Sequence, residues 1–296
     1  MASSLSSANP FDLESQAGYL RWREWKLVNA PRTAAEIIIE VNDPHALSAP
    51  EHAALLSCVL RCNMAVYATQ VREEDTAIPR LLGRQFGLES LDANWLADED
   101  GISEIKVSAG GMRQSYIPYT NRAIKWHTDG YYNSPQRTIR GMVLHCVRGA
   151  AQGGENRLLD HEMAYLFLRD ENPDFIYALM QPDAMVIPER TDEDGVARAA
   201  QSGPVFSLDE NQNLHMRYTA RTRSIAWKQD AATQAAVLAL EKLLEEDTPH
   251  ILHARLEPGM GLLCNNVLHD RSAFSDDTSH PRLLYRARYH QRIAGT

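Results

Sequence analysis

The segment His127-Thr128-Asp129 places the strongest constraint on how this chain can fold. It lies in a stretch that we expect to be extended, where side chains alternate between two faces, so His127 and Asp129 project to the same side. Such a pair can hold one metal ion from two directions, and a second imidazole would complete a set of two histidines and one carboxylate. The chain has no other His-x-Asp or His-x-Glu. We therefore expect a fold that brings a distant histidine to the end of this strand.

Size and composition set the broad class. A chain of 296 residues with 44% hydrophobic residues can bury a substantial core, and we expect one domain over 1–296, with 1–15 as a flexible or loosely packed arm. A formal net charge of −9 argues against nucleic acid as a partner. No apolar run approaches the roughly 20 residues of a membrane helix, and no secretory signal pattern is present. We expect a cytoplasmic protein without a membrane partner, and the composition is compatible with a homo-oligomer.

Patterning along the chain predicts short helices early and strands through the middle and the end. A capping box at Ser48–Glu51 opens a helix, a second helix is expected over Ile78–Phe86, and Ala231–Glu246 has the clearest helical pattern. Asp160 is expected to cap a helix that ends before Pro173. The predicted strands and hairpin arms are Phe11–Trp25 (a strand or an arm), Glu36–Val41, Met64–Ala68, Thr138–Val147, Val205–Leu208, Leu214–Tyr218, His250–Leu256, Gly261–Leu268 and Arg282–Arg292.

This order of elements predicts a mainly β protein, a barrel or jelly roll with helices packed outside. A doubly wound parallel sheet fits poorly because strands and helices do not alternate regularly. No G-x-G-x-x-G or P-loop motif is present to indicate a nucleotide cofactor. The segments Ser108–Lys125 and Pro188–Pro204 are expected to be loops and are candidate lids.

Two further groups of polar residues lie late in the chain. An apolar strand runs into Asn265-Asn266 and then His269, an ending that suits a histidine facing a polar site. In the last strand, alternation places four residues on one face: Arg282, Leu284, Arg286 and Arg288. These arginines lie either in water on an exterior strand or inside a barrel, where a planar guanidinium can grip a carboxylate through two hydrogen bonds.

Together these motifs resemble the taurine dioxygenase/TfdA family of Fe(II)- and 2-oxoglutarate-dependent oxygenases. The resemblance covers about Ala53 to Tyr289, most of the chain, and implies a double-stranded β-helix core, a cupin-like jelly roll. The motifs that carry it, in the family's order and spacing, are Trp126-His127-Thr128-Asp129, Gly153-Gly154-Glu155-Asn156, His269, Arg282-x-x-x-Arg286 and, near the N-terminus, Leu82-Gly83-Arg84-Gln85-Phe86-Gly87.

The resemblance also implies a set of site residues and cofactors. His127, Asp129 and His269 match the iron ligands of the catalytic centre, and Arg282 matches the arginine that binds the distal carboxylate of 2-oxoglutarate. Asn156 stands where many members have a threonine that helps bind 2-oxoglutarate, and its amide can also donate a hydrogen bond. The implied cofactors are Fe(II), 2-oxoglutarate as cosubstrate and O2. The implied reaction is hydroxylation of a small molecule, or cleavage that follows from it, with decarboxylation of 2-oxoglutarate to succinate and CO2.

The substrate class depends on side chains near the metal motif. Arg286 matches a family arginine near the substrate's anionic group, and Arg221 belongs to a basic cluster in an acidic chain, so a small anionic substrate is expected first. Trp126 and Tyr131 are also expected to line the substrate site. With neighbouring tyrosines they could instead cage a quaternary ammonium, as in the butyrobetaine hydroxylase branch. Against that alternative, most cysteines of that branch's N-terminal zinc module are missing.

Two other classes of function use the same residues without O2. One is a metal-dependent hydrolase or isomerase on a cupin-like barrel, and the other is a non-catalytic metabolite-binding protein that keeps the fold. Both predict that no succinate forms from 2-oxoglutarate. Anaerobic addition of Fe(II) and 2-oxoglutarate separates them from the oxygenase, which alone is expected to develop a visible charge-transfer band.

Overall fold

A computed structural model describes residues 9–92, 101–108, 110, 116–192, 195–221, 225–277 and 279–296. The helices of this part are α1 (Gln16–Asn29), α2 (Ala49–Cys62), α3 (Ala77–Gln85), α4 (His161–Glu171), α5 (Pro173–Leu179) and α6 (Ala231–Glu245). The strands are β1 (Ile38–Glu40), β2 (Met64–Ala68), β3 (Ser103–Ile105), β4 (Ile124–His127), β5 (Gly141–Arg148), β6 (Gln152–Gly153), β7 (Asn156–Leu159), β8 (Met185–Ile187), β9 (Arg190–Asp192), β10 (Gly195–Arg198), β11 (Gln201–Gly203), β12 (Phe206–Leu208), β13 (Leu214–Met216), β14 (Ala226–Trp227), β15 (Leu252–Ala254), β16 (Met260–Cys264), β17 (Leu268–Arg271), β18 (Phe274–Ser275) and β19 (Leu283–Tyr289). None of the helices in these ranges combines the length and apolar character needed to cross a membrane.

Two sheets pack against each other to form the core. The larger has the strand order β1-β2-β16-β5-β19-β3, and the smaller has the order β15-β7-β17-β4. Within them every pairing is antiparallel except that of β1 with β2. Met142 and Leu284 of the larger sheet share one buried apolar cluster with Leu158 and Leu252 of the smaller sheet, as expected of sheets that pack face to face. The predicted jelly roll is confirmed.

Helices cover the outer faces of both sheets. Leu55 of α2 and Leu82 of α3 join a cluster with Val143 of the larger sheet. On the other side, α1 and α4 to α6 surround Leu159 and Leu268 of the smaller sheet. The predicted bounds of α3, α6 and β2 agree with the structure to within about one residue, and the predicted capping box at the start of α2 is present.

Strand β19 decides between the two predicted positions for the arginines. Leu283, Tyr285, Ala287 and Tyr289 pack outward under α2 and α3, so the alternate residues face the interior between the sheets. Arg282 and Arg288 are 6% and 4% exposed. The guanidinium groups therefore lie inside the fold rather than in water.

The prediction of a strand or arm over Phe11–Trp25 is wrong, because α1 begins at Gln16. Tyr19, Trp22 and Lys26 recur at helical spacing, and Tyr19 and Lys26 are buried against α4. A lysine on the buried face conceals this periodicity in the sequence.

A helix ends before Pro173 as predicted, and Pro173 also starts α5, where the Asn172 side chain accepts from the Asp174 N–H. Two other predictions about elements are corrected by the structure. The expected loop Pro188–Pro204 contains β9, β10 and β11. The expected strand Gly261–Leu268 breaks after Cys264, since Asn266 adopts a left-handed conformation with φ of 51°.

Candidate active site

The antiparallel pairing of β4 with β17 creates the centre of the site. His127 and His269 are direct partners in this pairing, so both imidazoles lie on the same face, with ring centroids 4.2 Å apart. Their neighbours Trp126 and Leu268 point to the opposite face and into the core. Ligand atoms of His127, Asp129 and His269 lie within 4.8 Å of one another, the one such group of three among the described residues.

Main-chain carbonyls fix the orientation of both imidazoles. Nδ1 of His127 donates to the Lys125 carbonyl and Nδ1 of His269 to the Val267 carbonyl, each at 2.9 Å. The Nε2 atoms are thereby turned toward Oδ1 of Asp129, at 3.6 and 4.0 Å. Burial, then the neighbouring His127, lower the pKa of His269 to about 4, so its Nε2 lone pair is free at neutral pH to bind a metal.

Asp129 stays ionised although it is buried. Burial alone would raise the pKa of this carboxyl, but Arg286 and then His127 outweigh it and hold the pKa well below its ordinary value. Nη1 of Arg286 lies 3.1 Å from Oδ2 of Asp129, yet this oxygen accepts no well-formed hydrogen bond. Two imidazole nitrogens and a carboxylate oxygen with a free lone pair fit Fe(II), with one face of the ion left for other ligands.

Asn266 holds the backbone of the metal motif, a role that is not predicted from the sequence. Its Oδ1 accepts from the Asp129 N–H at 2.7 Å, and its Nδ2 donates to the carbonyls of Asp129 and Ile139 at 2.9 and 2.7 Å. These bonds satisfy the amide where β16 ends and β17 is about to begin. The only signal in the sequence was the Asn-Asn pair after an apolar strand.

Arg282 lies at one end of the interior face of β19. Its guanidinium carbon is 5.0 Å from the centre of the Phe274 ring, and burial lowers the pKa of this arginine. Among the described residues, no carboxylate reaches ion-pair distance of its guanidinium. Gly153, the last residue of β6, has φ 72°, and a Cβ there would collide with the Ala273 carbonyl oxygen, so only glycine suits this approach.

Arg288, at the other end of the same face, has its own counter-ion. Its Nη2 donates to Oδ2 of Asp92 at 2.7 Å, and its Nη1 donates to the Tyr132 hydroxyl at 3.0 Å. Asp92 also accepts from Arg137 at 2.5 Å. This network ties β19 to the segment that follows Asp129, and no pattern in the sequence predicts it.

The remaining predicted site residues have different surroundings. Trp126 is wrongly assigned to the substrate site, because it points away from His127 and donates its indole N–H to the Leu244 carbonyl at 3.0 Å. Arg221 is exposed; Arg223, of the same basic cluster, lies outside the described residues. The Asn156 amide donates to the Asp270 carbonyl at 2.7 Å. Tyr131 is half-buried beside Tyr132, with ring centroids 5.2 Å apart.

A jelly roll with two histidines and one carboxylate at the meeting point of two strands defines the class of non-haem iron oxygenase folds. Comparison with family models narrows this class to one family. The model described as "Taurine catabolism dioxygenase TauD, TfdA family" matches residues 30–288. The chain belongs to this family, and the resemblance found in the sequence is confirmed.

Two curated relatives are both uridine-5′-phosphate dioxygenases. The protein from Amycolatopsis sp. is 32% identical over 169 residues, which is 55% of this chain and 60% of that protein. The protein from Streptomyces sp. is 30% identical over 195 residues, covering 64% of this chain and 70% of the relative. The alignment thus spans less than two thirds of the first relative's length.

Solved structures of lower identity share the fold. The non-haem iron oxygenase OrfP in complex with Fe, succinate and (3S)-hydroxy-L-Arg has a TM-score of 0.59 at 16% identity, over 82% of this chain and 81% of that one. An asparagine oxygenase in complex with Fe(II), 2S,3S-3-hydroxyasparagine and succinate has a TM-score of 0.56 at 13% identity, over 90% of each chain. At such identities the likeness concerns the fold alone.

Proposed function

We propose that this chain is an Fe(II)- and 2-oxoglutarate-dependent dioxygenase that oxidises a small anionic substrate. The observation that carries the proposal is the convergence of His127, Asp129 and His269, with both Nε2 atoms turned toward the carboxylate. Burying polar groups is costly, so their convergence at one point favours metal binding over a purely structural role. The family match over 30–288 supports one catalytic domain.

Each residue of the site has a distinct role in this proposal. His127, Asp129 and His269 hold the iron, and Arg286 balances the carboxylate charge. Arg282 receives the distal carboxylate of 2-oxoglutarate, which would supply the counter-charge that its guanidinium lacks. Bound iron with 2-oxoglutarate supplies O2 activation coupled to decarboxylation to succinate and CO2. The sheets and helices around the site exclude water and orient the substrate C–H bond.

The surroundings of the metal motif favour an anionic substrate over a quaternary ammonium. Trp126 cannot contribute to an aromatic cage for a cation, because its side chain packs in the core. Tyr132 is flanked by the guanidinium groups of Arg288 and Arg198. Like charges near the site would repel an ammonium group. The two uridine-5′-phosphate dioxygenases among the relatives point further, to a phosphomonoester.

The test is spectroscopic and chemical. Anaerobic addition of Fe(II) and 2-oxoglutarate to the purified protein should produce a visible charge-transfer band, which His127→Ala should abolish. On admission of O2, uridine 5′-monophosphate and other small anions are then screened for succinate release above the substrate-free rate. A wild-type protein without the band would refute the oxygenase and favour a hydrolase or a binding protein.

A further inference from the structure

Arg198, at the end of β10, turns its side chain inward from an outlying hairpin. The next residues, Ala199 and Ala200, are exposed. The Arg198 guanidinium instead lies over the Tyr132 ring, 5.6 Å from its centre, and Nη2 donates to the Pro188 carbonyl at 2.6 Å. Its Nε is buried and has no hydrogen-bond partner.

This arrangement is costly for an arginine with no counter-ion. Burial lowers the pKa of Arg198, and no described carboxylate lies within ion-pair distance of it. Arg288, whose hydroxyl partner Tyr132 also lies under Arg198, is by contrast paired with Asp92 at 2.7 Å. In a chain with 39 acidic residues, an inward arginine that none of the described acids neutralises leaves a place for an external anion.

The neighbours of Arg198 connect it to the metal motif. It lies against Tyr132, which follows Asp129 by three positions, and the Tyr132 hydroxyl accepts from Arg288. Nearby Arg217 is already used by the fold, because it donates to three main-chain carbonyls, those of Tyr131, Met185 and Gln201. On the β19 side, Arg286 also has a buried Nε without a partner.

We propose that Arg198 binds the phosphate group of a small phosphomonoester substrate and thereby sets substrate specificity. The inference rests on the proposed function and adds the residue that recognises the anion. Guanidinium N–H groups match phosphate oxygens in geometry and charge. The hairpin of β9 and β10 would place this cation over the tyrosine pair next to the metal ligands, so that the phosphate enters between the hairpin and β19.

The experiment measures binding without turnover. Calorimetry under anaerobic conditions compares uridine 5′-monophosphate, uridine and inorganic phosphate on the protein loaded with Fe(II) and 2-oxoglutarate. Arg198→Ala should weaken the binding of uridine 5′-monophosphate by about 10- to 100-fold. It should leave the affinity for uridine unchanged and the charge-transfer band intact. Arg198→Lys should recover part of the affinity. Arg21→Ala, an exposed arginine on α1, is the charge-matched control and should match the wild type.

Each outcome bears on one hypothesis. If Arg198→Ala binds uridine 5′-monophosphate as tightly as the wild type, or if the wild type prefers uridine to its monophosphate, Arg198 is not a phosphate ligand. In either case an intact charge-transfer band would show that the failure concerns Arg198 and not the proposed oxygenase function. Loss of the band in Arg198→Ala, or an equal loss of uridine binding, would mean that the residue supports the fold, and would also overturn the inference.

Discussion

The two ends of strand β19 each bury an arginine, but only one end has a carboxylate of the chain paired with it. Arg288 is paired with Asp92 at 2.7 Å and bonded to the Tyr132 hydroxyl. Arg282 has the ring of Phe274 beside it, and no carboxylate of the described residues lies within ion-pair distance of its guanidinium. A buried charge is costly unless it is paired. The Arg288 end is therefore complete in the folded chain, whereas the Arg282 end becomes complete only with an anionic ligand.

This difference separates the parts of the site that hold the fold together from those that wait for a ligand. Arg286, midway between the two ends, contacts the metal-binding Asp129 at 3.1 Å and belongs to both. We therefore expect the free energy of unfolding to depend on the Arg288 end and ligand affinity on the Arg282 end.

The largest effect is expected for Asp92→Ala. This change leaves Arg288 buried without its counter-ion, and the free energy of unfolding should fall by about 3–5 kcal/mol, as for other broken buried pairs. Urea denaturation measures the loss. Arg282→Ala is the matched control and should cost little stability, because it removes a charge that the folded chain does not pair. Equal losses in both variants would break the comparison.

Arg282→Ala should instead weaken the binding of 2-oxoglutarate by about 100-fold, because a charge-assisted bidentate contact is lost. The measurement is an anaerobic titration of the charge-transfer band at saturating Fe(II). Iron should still bind, and Arg282→Lys should restore only part of the affinity, because an ammonium lacks the planar fork. Unchanged affinity for 2-oxoglutarate would remove Arg282 from the cosubstrate site.

Asn266→Ala tests whether the metal motif between the two ends is held by the fold. The three hydrogen bonds to the backbone around Asp129 would be lost, and the affinity for iron should fall by about 10- to 100-fold, in the range seen for residues that orient metal ligands. Competition with a chelator measures this affinity. Asn266→Gly keeps the left-handed backbone at φ 51° but also removes the side chain. If only Asn266→Ala weakens iron, backbone strain rather than the amide is responsible.

The smallest effect concerns a third buried cation, Lys26, which is paired like Arg288. Its ammonium lies 2.6 Å from Asp160 and 2.5 Å from Glu162. Burial opposes the charge on Glu162, but Lys26 outweighs it and lowers the pKa of this carboxyl from 4.5 to about 2. The unfolded chain therefore takes up this proton first, so the pair stabilises the fold above about pH 4.5, and its contribution is lost as the pH falls toward 2.

Urea denaturation as a function of pH checks this sign. Between about pH 5 and pH 3 the wild type should lose about 1–2 kcal/mol more than Glu162→Gln, which has no proton to bind at this position. A parallel pH profile for the two proteins would show that Glu162 titrates at its ordinary pKa in the folded state.

Much of the site could be predicted because strand alternation is a local rule. His127 and Asp129, and separately Arg286 and Arg288, share faces in the structure as their spacing requires. The resemblance to the family then joined His269 to the first pair. Trp126 shows the limit of proximity in sequence, since its neighbour His127 faces the site while the indole is in the core.

The residues that escaped prediction are those whose partners lie far along the chain. Asn266 bonds to Asp129, and Arg288 to Asp92; neither partner is marked by composition or spacing. The Pro188–Pro204 segment was expected to be a loop because it is polar, but β9 and β10 pair with each other and position Arg198.

Sequence patterns are sufficient to predict the faces that residues share on each strand and the family to which the chain belongs. They do not reveal that His269 stands opposite His127, that Asp92 neutralises Arg288, or that Arg282 and Arg198 face inward with no described carboxylate at ion-pair distance. The physical reason is that alternation is a property of a few adjacent backbone units. Strand register and the pairing of buried charges depend on which distant segments the hydrophobic core brings together.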